Sequence, residues 1–164
     1  MNSDIVHHEF PPLFDSKSKV LILGTIPSPK SREYGFYYMH PQNRFWRMLC
    51  GVLGEEIPND IEARKVLCLR YGIALWDVLE SCEISGASDA SIKNAVPNKL
   101  ERIFNSAEIK AVFTTGKKAY ELYCKHFSNN GHPAICLPST SPANRTISEN
   151  DMMEQYMQIK QHIR

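Results

Sequence analysis

No two of the five cysteines stand in a Cys-x-x-Cys pair, and their number is odd. Cys50, Cys68, Cys82, Cys124 and Cys136 are scattered singly, which argues against both a zinc ribbon and a disulfide framework. No apolar run approaches the roughly 18 residues of a membrane span. The opening MNSDIVHHEF holds no apolar stretch of the kind a secretory leader carries. An excess of one charge is missing as well. Lys plus Arg number 19 against 18 Asp plus Glu, a net charge of +1, so the chain is neither a polybasic tail nor an acidic disordered protein. These absences lead to the expectation of a soluble, cytoplasmic protein with no membrane partner, whose reduced cysteines are mostly small core hydrophobes.

Three catalytic signatures are also missing. Gly24 does not open a Gly-x-Gly-x-x-Gly fingerprint, and Gly116-Lys117-Lys118 lacks the upstream glycine of a phosphate-binding P-loop. No Gly-x-Ser-x-Gly nucleophile elbow is present. The adjacent His7 and His8 could bind a metal, but paired surface histidines seldom do so on their own, and no metal site is expected from them. His126 and His132 read as solvated loop residues.

The chain has 164 residues, 43% of them hydrophobic and 23% charged. That suffices for one compact domain, which buries roughly 70% of its unfolded surface and needs no covalent staple. Residues 1–18 are polar around Pro11-Pro12 and read as an arm leading into a single domain spanning 1–164. Four apolar runs then read as strands buried on both faces: 20–23 ending at Gly24, 73–76 after Gly72, 109–113 before Gly116, and 134–137 before Pro138.

Helical patterns separate them. They cover 42–53 with Gly54 at the end, 61–71 after Asn59-Asp60, 117–127, and a last helix opened by Ser148-x-x-Asp151. Asn98-x-x-Glu101 reads as a capping box before Leu100, Ile103 and Phe104. Buried strands alternating with helices predict an α/β fold, a three-layer α/β/α sandwich around a parallel sheet of about four strands. Ligands of such sheets bind beyond the carboxyl ends of the strands. That rule selects residues 24–28, Asp77 onward, 114–117 and 138–142.

Two segments concentrate the chemistry. From Gly35 to Trp46 the chain crowds aromatics, His40, Asn43 and Arg44 into the start of a helix. Between Pro27 and Arg47 four basic residues meet one acid, a local +3 in a nearly neutral chain. Basic groups interleaved with aromatics suit a phosphate backbone and a stacked base. The alternative is a loop that packs its aromatics into the core and solvates its arginines. The second segment runs from Leu137 to Arg145. Three hydroxyls between Pro138 and Pro142 make a stiff loop with exposed donors, suited to a phosphate. A plain strand-to-helix turn uses the same residues.

Gly24-Thr25-Ile26-Pro27-Ser28 followed by the run Tyr38 to Trp46 resembles the first motif of the uracil-DNA glycosylase superfamily. The His40-Pro41-Gln42-Asn43-Arg44-Phe45-Trp46 run is closest to its mismatch-specific branch. Leu137 to Asn144 resembles the second motif. With Ile73 to Val78 and Gly116 to Tyr120, the chain is similar to the hypoxanthine-DNA (deoxyinosine) glycosylase group over nearly its whole length. One departure stands out. Mismatch-specific members carry an Asn two residues after the first-motif glycine, where this chain has Ile26, which neither donates nor accepts. The second motif also lacks the leading His of uracil-specific members.

The resemblance implies a monofunctional DNA glycosylase that flips a deaminated base, hypoxanthine first, out of double-stranded DNA and leaves an abasic site. It implies no metal or cofactor, no Schiff-base lysine, and action as a monomer. Asn43 maps onto the essential amide, with His40 beside it as a second catalytic candidate or a brace of the helix start. Tyr38 aligns with the aromatic that stacks on the base, and Gly24, Thr25 and Ile26 belong to the base pocket. Ser139, Thr140, Ser141, Pro142, Asn144, Arg145 and Lys117 are candidate DNA contacts. Asp77, at the end of its strand, can accept a hydrogen bond from the purine, activate water, or cap the next turn. Competing classes are a mismatch-directed uracil or thymine glycosylase, a non-catalytic nucleic-acid binding module, and an enzyme acting on free nucleosides.

Overall fold

The computed structural model describes residues 3–163. Four strands, β2 (Val20–Gly24), β3 (Ile73–Asp77), β6 (Ala111–Thr115) and β7 (Ala134–Leu137), form a parallel sheet in the order β3-β2-β6-β7. Strand β2 is central, with Val20 paired to both Ile73 and Ala111. Its side chains from Val20 to Leu23 are wholly buried. Each such side chain contributes roughly 1.5–3 kcal/mol relative to exposure. This is the expected α/β architecture, a parallel four-strand sheet flanked by helices.

The flanking helices lie in the segments that the sequence pattern marks, except the first, which has no counterpart in the sequence reading. They are α1 (Pro29–Tyr34), α2 (Phe45–Leu53), α3 (Ile61–Arg70), the short α4 (Glu101–Phe104), α5 (Lys117–Phe127) and α6 (Glu149–Tyr156). Helix α3 packs on β3, α5 on β6 and β7, and α2 against α6. Ser148 caps α6 by accepting from the Asp151 N–H at 3.1 Å. Helix α2 begins at Phe45 rather than at Gln42, because the Asn43 side chain accepts the Phe45 N–H at 2.9 Å and starts the helix there. The strand expected over 109–113 lies two residues later, and β7 is an edge strand with Ile135 partly exposed.

The segment read as an arm is folded from Asp4 onward. Strand β1 (Asp4–His7) pairs antiparallel with β4 (Leu79–Ile84), which pairs in turn with β5 (Lys93–Pro97). This second sheet, in the order β1-β4-β5, has no counterpart in the sequence reading. Its strands lack a long apolar run, since only Val6 of β1 is buried. Strand β4 continues directly from β3. The turn between them is held to β2 by Val78 N–H on the Gly24 carbonyl and Leu79 N–H on that of Thr25.

The capping box at Asn98 does not form. Asn98 is buried, and its amide donates to the backbone carbonyls of Asp77 and Leu79 at 2.9 and 3.0 Å. These carbonyls flank the turn between the two sheets, and they take the amide that the sequence assigns to the helix. Helix α4 starts at Glu101 without a side-chain cap.

Candidate active site

The carboxyl ends of β2, β3 and β6 open into a cleft of about 500 Å³. Its floor and walls come from the places that the strand-end rule selects. Gly24, Thr25 and Ile26 follow β2, Asp77 ends β3, Thr115 ends β6, and Ser139 to Ala143 follow β7. Tyr38, His40 and Asn43 line the same cleft from the loop between α1 and α2. A further wall, from Ile84 through Gly86 and Ala87 to Asp89, belongs to the second sheet and its following turn. Sequence reasoning missed that wall together with the sheet that carries it.

Tyr38 is held rigidly. Its ring stacks on Phe45 with centroids 3.8 Å apart and planes 17° apart. Its hydroxyl lies 3.1 Å from Thr115 Oγ1. Its φ is +56°, a strained backbone for a bulky residue. Burial and then the neighbouring Asp77 charge push its phenol well above the ordinary tyrosine range, and the Thr115 bond offsets this in part. Tyr37, also in the lining, is pushed up by the same two causes, and its hydroxyl donates to the Pro11 carbonyl at 2.9 Å. Both phenols are therefore neutral hydrogen-bonding groups at any ordinary pH.

Asn43 does two things at once. Its Oδ1 accepts the Phe45 N–H in an Asx turn one residue ahead of the Arg44 N-cap, which fixes the amide's orientation and helps start α2. With Oδ1 held by that N–H, the Nδ2 hydrogens are donors that the group can offer the cleft. The local cap that a helix-start Asn ordinarily makes and a role in the cleft are thus compatible. His40 Nδ1 accepts the Gln42 N–H at 3.1 Å, and the His40 carbonyl accepts the Asn43 N–H at 2.9 Å. His40 braces the turn and lines the cleft, leaving Nε2 free to act as a donor.

Asp77 is 4% exposed. It does not cap the next turn through its side chain. Its Oδ2 lies 2.8 Å from Nε2 of His8, the residue that follows β1. Its Oδ1 packs against the backbone of Gly24, where an added Cβ would stand 2.5 Å from it and 3.2 Å from the Tyr38 hydroxyl. Glycine at 24 is required by this close approach. His8, grouped with His7 as a surface pair on sequence, has a side chain only 2% exposed. The other two histidines are not simply solvated either. His126 lies within α5 and His132 stacks on Phe104 at 4.2 Å.

The serine-rich loop is built from the inside. Thr140 is buried and its carbonyl accepts the Arg44 N–H at 3.0 Å. Ser139 Oγ accepts from the Ser141 N–H, and Ser141 Oγ from that of Ala143, so these hydroxyls shape the loop they sit on. Asn144 turns its amide inward to the Ser139 carbonyl at 2.9 Å. Arg145 and Lys117 are exposed, and neither they nor Asn144 line the cleft. Arg44, read from sequence as a solvated cation or a phosphate contact, instead reaches the backbone of this loop. The structure thus brings Tyr38, His40, Asn43, Gly24, Thr25, Ile26, Asp77 and residues 139–142 to one cleft and leaves the other candidates outside it.

The profile of the Uracil DNA glycosylase superfamily matches residues 11–159. A hypoxanthine DNA glycosylase of Methanosarcina barkeri is 36% identical over 142 residues, which cover 83% of this chain and 87% of that one. A second protein of that description, from Methanosarcina acetivorans, is 30% identical over 148 residues, covering 89% and 93%. A solution NMR structure from Methanosarcina acetivorans, described as a candidate uracil DNA glycosylase, superposes with a TM-score of 0.79 at 30% identity, covering 93% of this chain and 95% of that one. The family match takes in both loops that line the cleft and all four strands beneath it. The chain belongs to the uracil DNA glycosylase superfamily, a family of DNA N-glycosylases.

Proposed function

We propose that this glycosylase flips hypoxanthine out of deoxyinosine-containing duplex DNA and hydrolyses its N-glycosidic bond, leaving an abasic site. One observation carries the reading. An aromatic ring, an amide donor and a carboxylate acceptor (Tyr38, Asn43 and Asp77) meet in a single cleft at the strand ends. The relatives described as hypoxanthine DNA glycosylases support the choice of base. So does Ile26, an apolar residue in the first-motif position where mismatch-specific members have an Asn.

Extrusion costs a few kcal/mol and least at a mispaired nucleotide such as deoxyinosine. Stacking on Tyr38, backed by Phe45, returns about 1–3 kcal/mol without distinguishing purines. Discrimination falls to the edge of the base. The Asp77 carboxylate accepts the ring N1–H of hypoxanthine, and it would face a lone pair at the same atom of adenine. As the bond breaks, negative charge spreads over the departing purine, and the Asn43 amide hydrogens stabilise it. Asn43 cannot act as a base, so catalysis rests on leaving-group stabilisation and positioning rather than on a strong general base at residue 26. The hydroxyl-rich rim at Ser139 and Ser141, with exposed Lys117 and Arg145 beyond it, meets the phosphate backbone, and residues 142–145 fill the gap in the stack. The enzyme works as a monomer.

The test is a duplex with one deoxyinosine, incubated with the enzyme and then heated in alkali. Strand breakage at that site is the expected result. Breakage confined to uracil-containing duplexes would replace this reading with mismatch-directed uracil excision. Turnover of free inosine at a comparable rate would argue against a base-flipping site altogether.

A further inference from the structure

Strand β1 and the residue after it carry one more polar group to the floor of the cleft. The His8 backbone N–H donates to the Glu80 carbonyl at 2.8 Å, which fixes the residue on β4. Its ring is walled by Phe10 at 4.6 Å, Tyr37 at 5.9 Å and Trp76 at 6.4 Å between centroids. Nε2 meets Asp77 Oδ2 at 2.8 Å, and the two side chains are 2% and 6% exposed. Nδ1 is buried with no hydrogen-bond partner among the described residues. A hydrogen on Nδ1 would be a buried donor without an acceptor, whereas a bare lone pair is better tolerated. The ring proton therefore belongs on Nε2, directed at the carboxylate.

We propose that His8 is a positioning residue for base selection, acting through Asp77; the inference rests on the base-excision reading above. By donating to Oδ2, His8 stops the carboxylate from rotating and leaves Oδ1, pressed against Gly24, as a fixed acceptor. A carboxylate so held can meet only a base that presents a ring N–H. Hypoxanthine does so, as guanine does, and adenine does not, so the contact separates hypoxanthine from the adenine it derives from. The other polar or charged groups around Asp77 do not substitute for His8. Tyr37 donates to Pro11, Tyr38 pairs with Thr115, and Asp89 on the opposite wall carries no donor when ionised.

Two substitutions separate donor from shape. His8→Phe keeps an aromatic body in the Phe10–Tyr37–Trp76 cluster and removes the donor, while His8→Gln restores an N–H near the Nε2 position. Single-turnover excision from a deoxyinosine duplex should slow at least about tenfold in His8→Phe and recover to within about threefold in His8→Gln. In an Asp77→Asn background His8→Phe should add almost nothing, because the carboxylate acceptor that His8 positions is already gone. An unaffected His8→Phe enzyme, or full additivity with Asp77→Asn, would overturn the proposal.

A second measurement does not depend on the substrate. The imidazole nitrogen NMR spectrum of the wild-type protein should show His8 protonated on Nε2 and bare on Nδ1, with its Nε2–H signal displaced in Asp77→Asn. The opposite tautomer, or no response to Asp77→Asn, would also defeat the proposal. Failure of the wild-type enzyme on deoxyinosine would defeat the choice of base, and the spectrum would still decide whether His8 governs Asp77.

Discussion

Arg44 donates through its guanidinium to the backbone carbonyl of Asn144 at 2.9 Å, joining two loops a hundred residues apart in sequence. A second guanidinium bond reaches the Ile147 carbonyl at 3.2 Å, and the Arg44 N–H holds that of Thr140. The first-motif helix thereby sets the position of the serine-rich rim. Arg44→Ala should lower stability by about 2 kcal/mol, since hydrogen bonds from a charged group are the stronger kind. It should also weaken binding to abasic DNA. Arg44→Lys, with one point charge for a planar fork, should recover only part of either. Chemical denaturation and a binding titration read the two effects. Binding equal to wild type in Arg44→Ala would show that the rim holds its shape without the strap.

Asn43 combines a cap with a donor, and two substitutions part them. Asn43→Ala loses both, at about 1 kcal/mol of stability and at least tenfold in excision, or about 1.4 kcal/mol of barrier. Asn43→Asp keeps an acceptor for the Phe45 N–H and removes the amide hydrogens. Its melting temperature should stay near that of the wild type while its excision falls as far as that of Asn43→Ala. Full activity in Asn43→Asp would mean that only the cap matters. A non-catalytic binding module would show no excision for either variant to lose.

Gly24→Ala tests the close approach to Asp77. The added methyl would stand 2.5 Å from a carboxylate oxygen whose partner atom is tied to His8. The side chain therefore cannot swing away without breaking a buried bond. The expected outcome is a folded protein that still binds abasic DNA and excises at least tenfold more slowly, about 1.4 kcal/mol of barrier. Wild-type rates in this variant would show that Asp77 has room to shift.

Alkaline pH should destabilise the fold more steeply than surface charge alone explains. Burial raises the phenols of Tyr37, Tyr38 and Tyr156 above their ordinary value of 10.0. A raised folded-state value means that the native protein keeps protons the unfolded chain releases. The stabilisation is complete below the unfolded value and is lost as pH rises through the folded one. Urea midpoints should hold steady up to about pH 9 and then fall beyond about pH 10, where free tyrosine ionises. A flat profile there would contradict the burial of these hydroxyls.

The parallel sheet was legible because its strands are short, largely apolar runs bounded by turn residues, such as Gly24 after Leu23, Gly72 before Ile73 and Pro138 after Leu137. The cleft was legible because short polar loops follow those runs, and its two loops carry recognisable motifs. The second sheet was not. Asp4–His7 buries a single side chain, and β4 and β5 mix charges with apolar residues in a bulged ladder. Asn98 misled for a physical reason: its spacing to Glu101 satisfies the helix-start pattern, but the switch between sheets offered the amide two buried carbonyls. Asn144 and Arg44 misled in the same way. Polar residues in a motif that binds a ligand also hold the motif's own backbone, and sequence does not distinguish the two tasks.

Tyr38 sits with a positive φ in the middle of the first motif, a backbone geometry worth of order 1–3 kcal/mol against the native state. Glycine would relax it, and would also remove the stacking platform. Laboratory selection for heat resistance alone would therefore drift toward substitutions at this codon that cripple the enzyme. Any effort to evolve a hardier variant has to screen turnover alongside melting temperature.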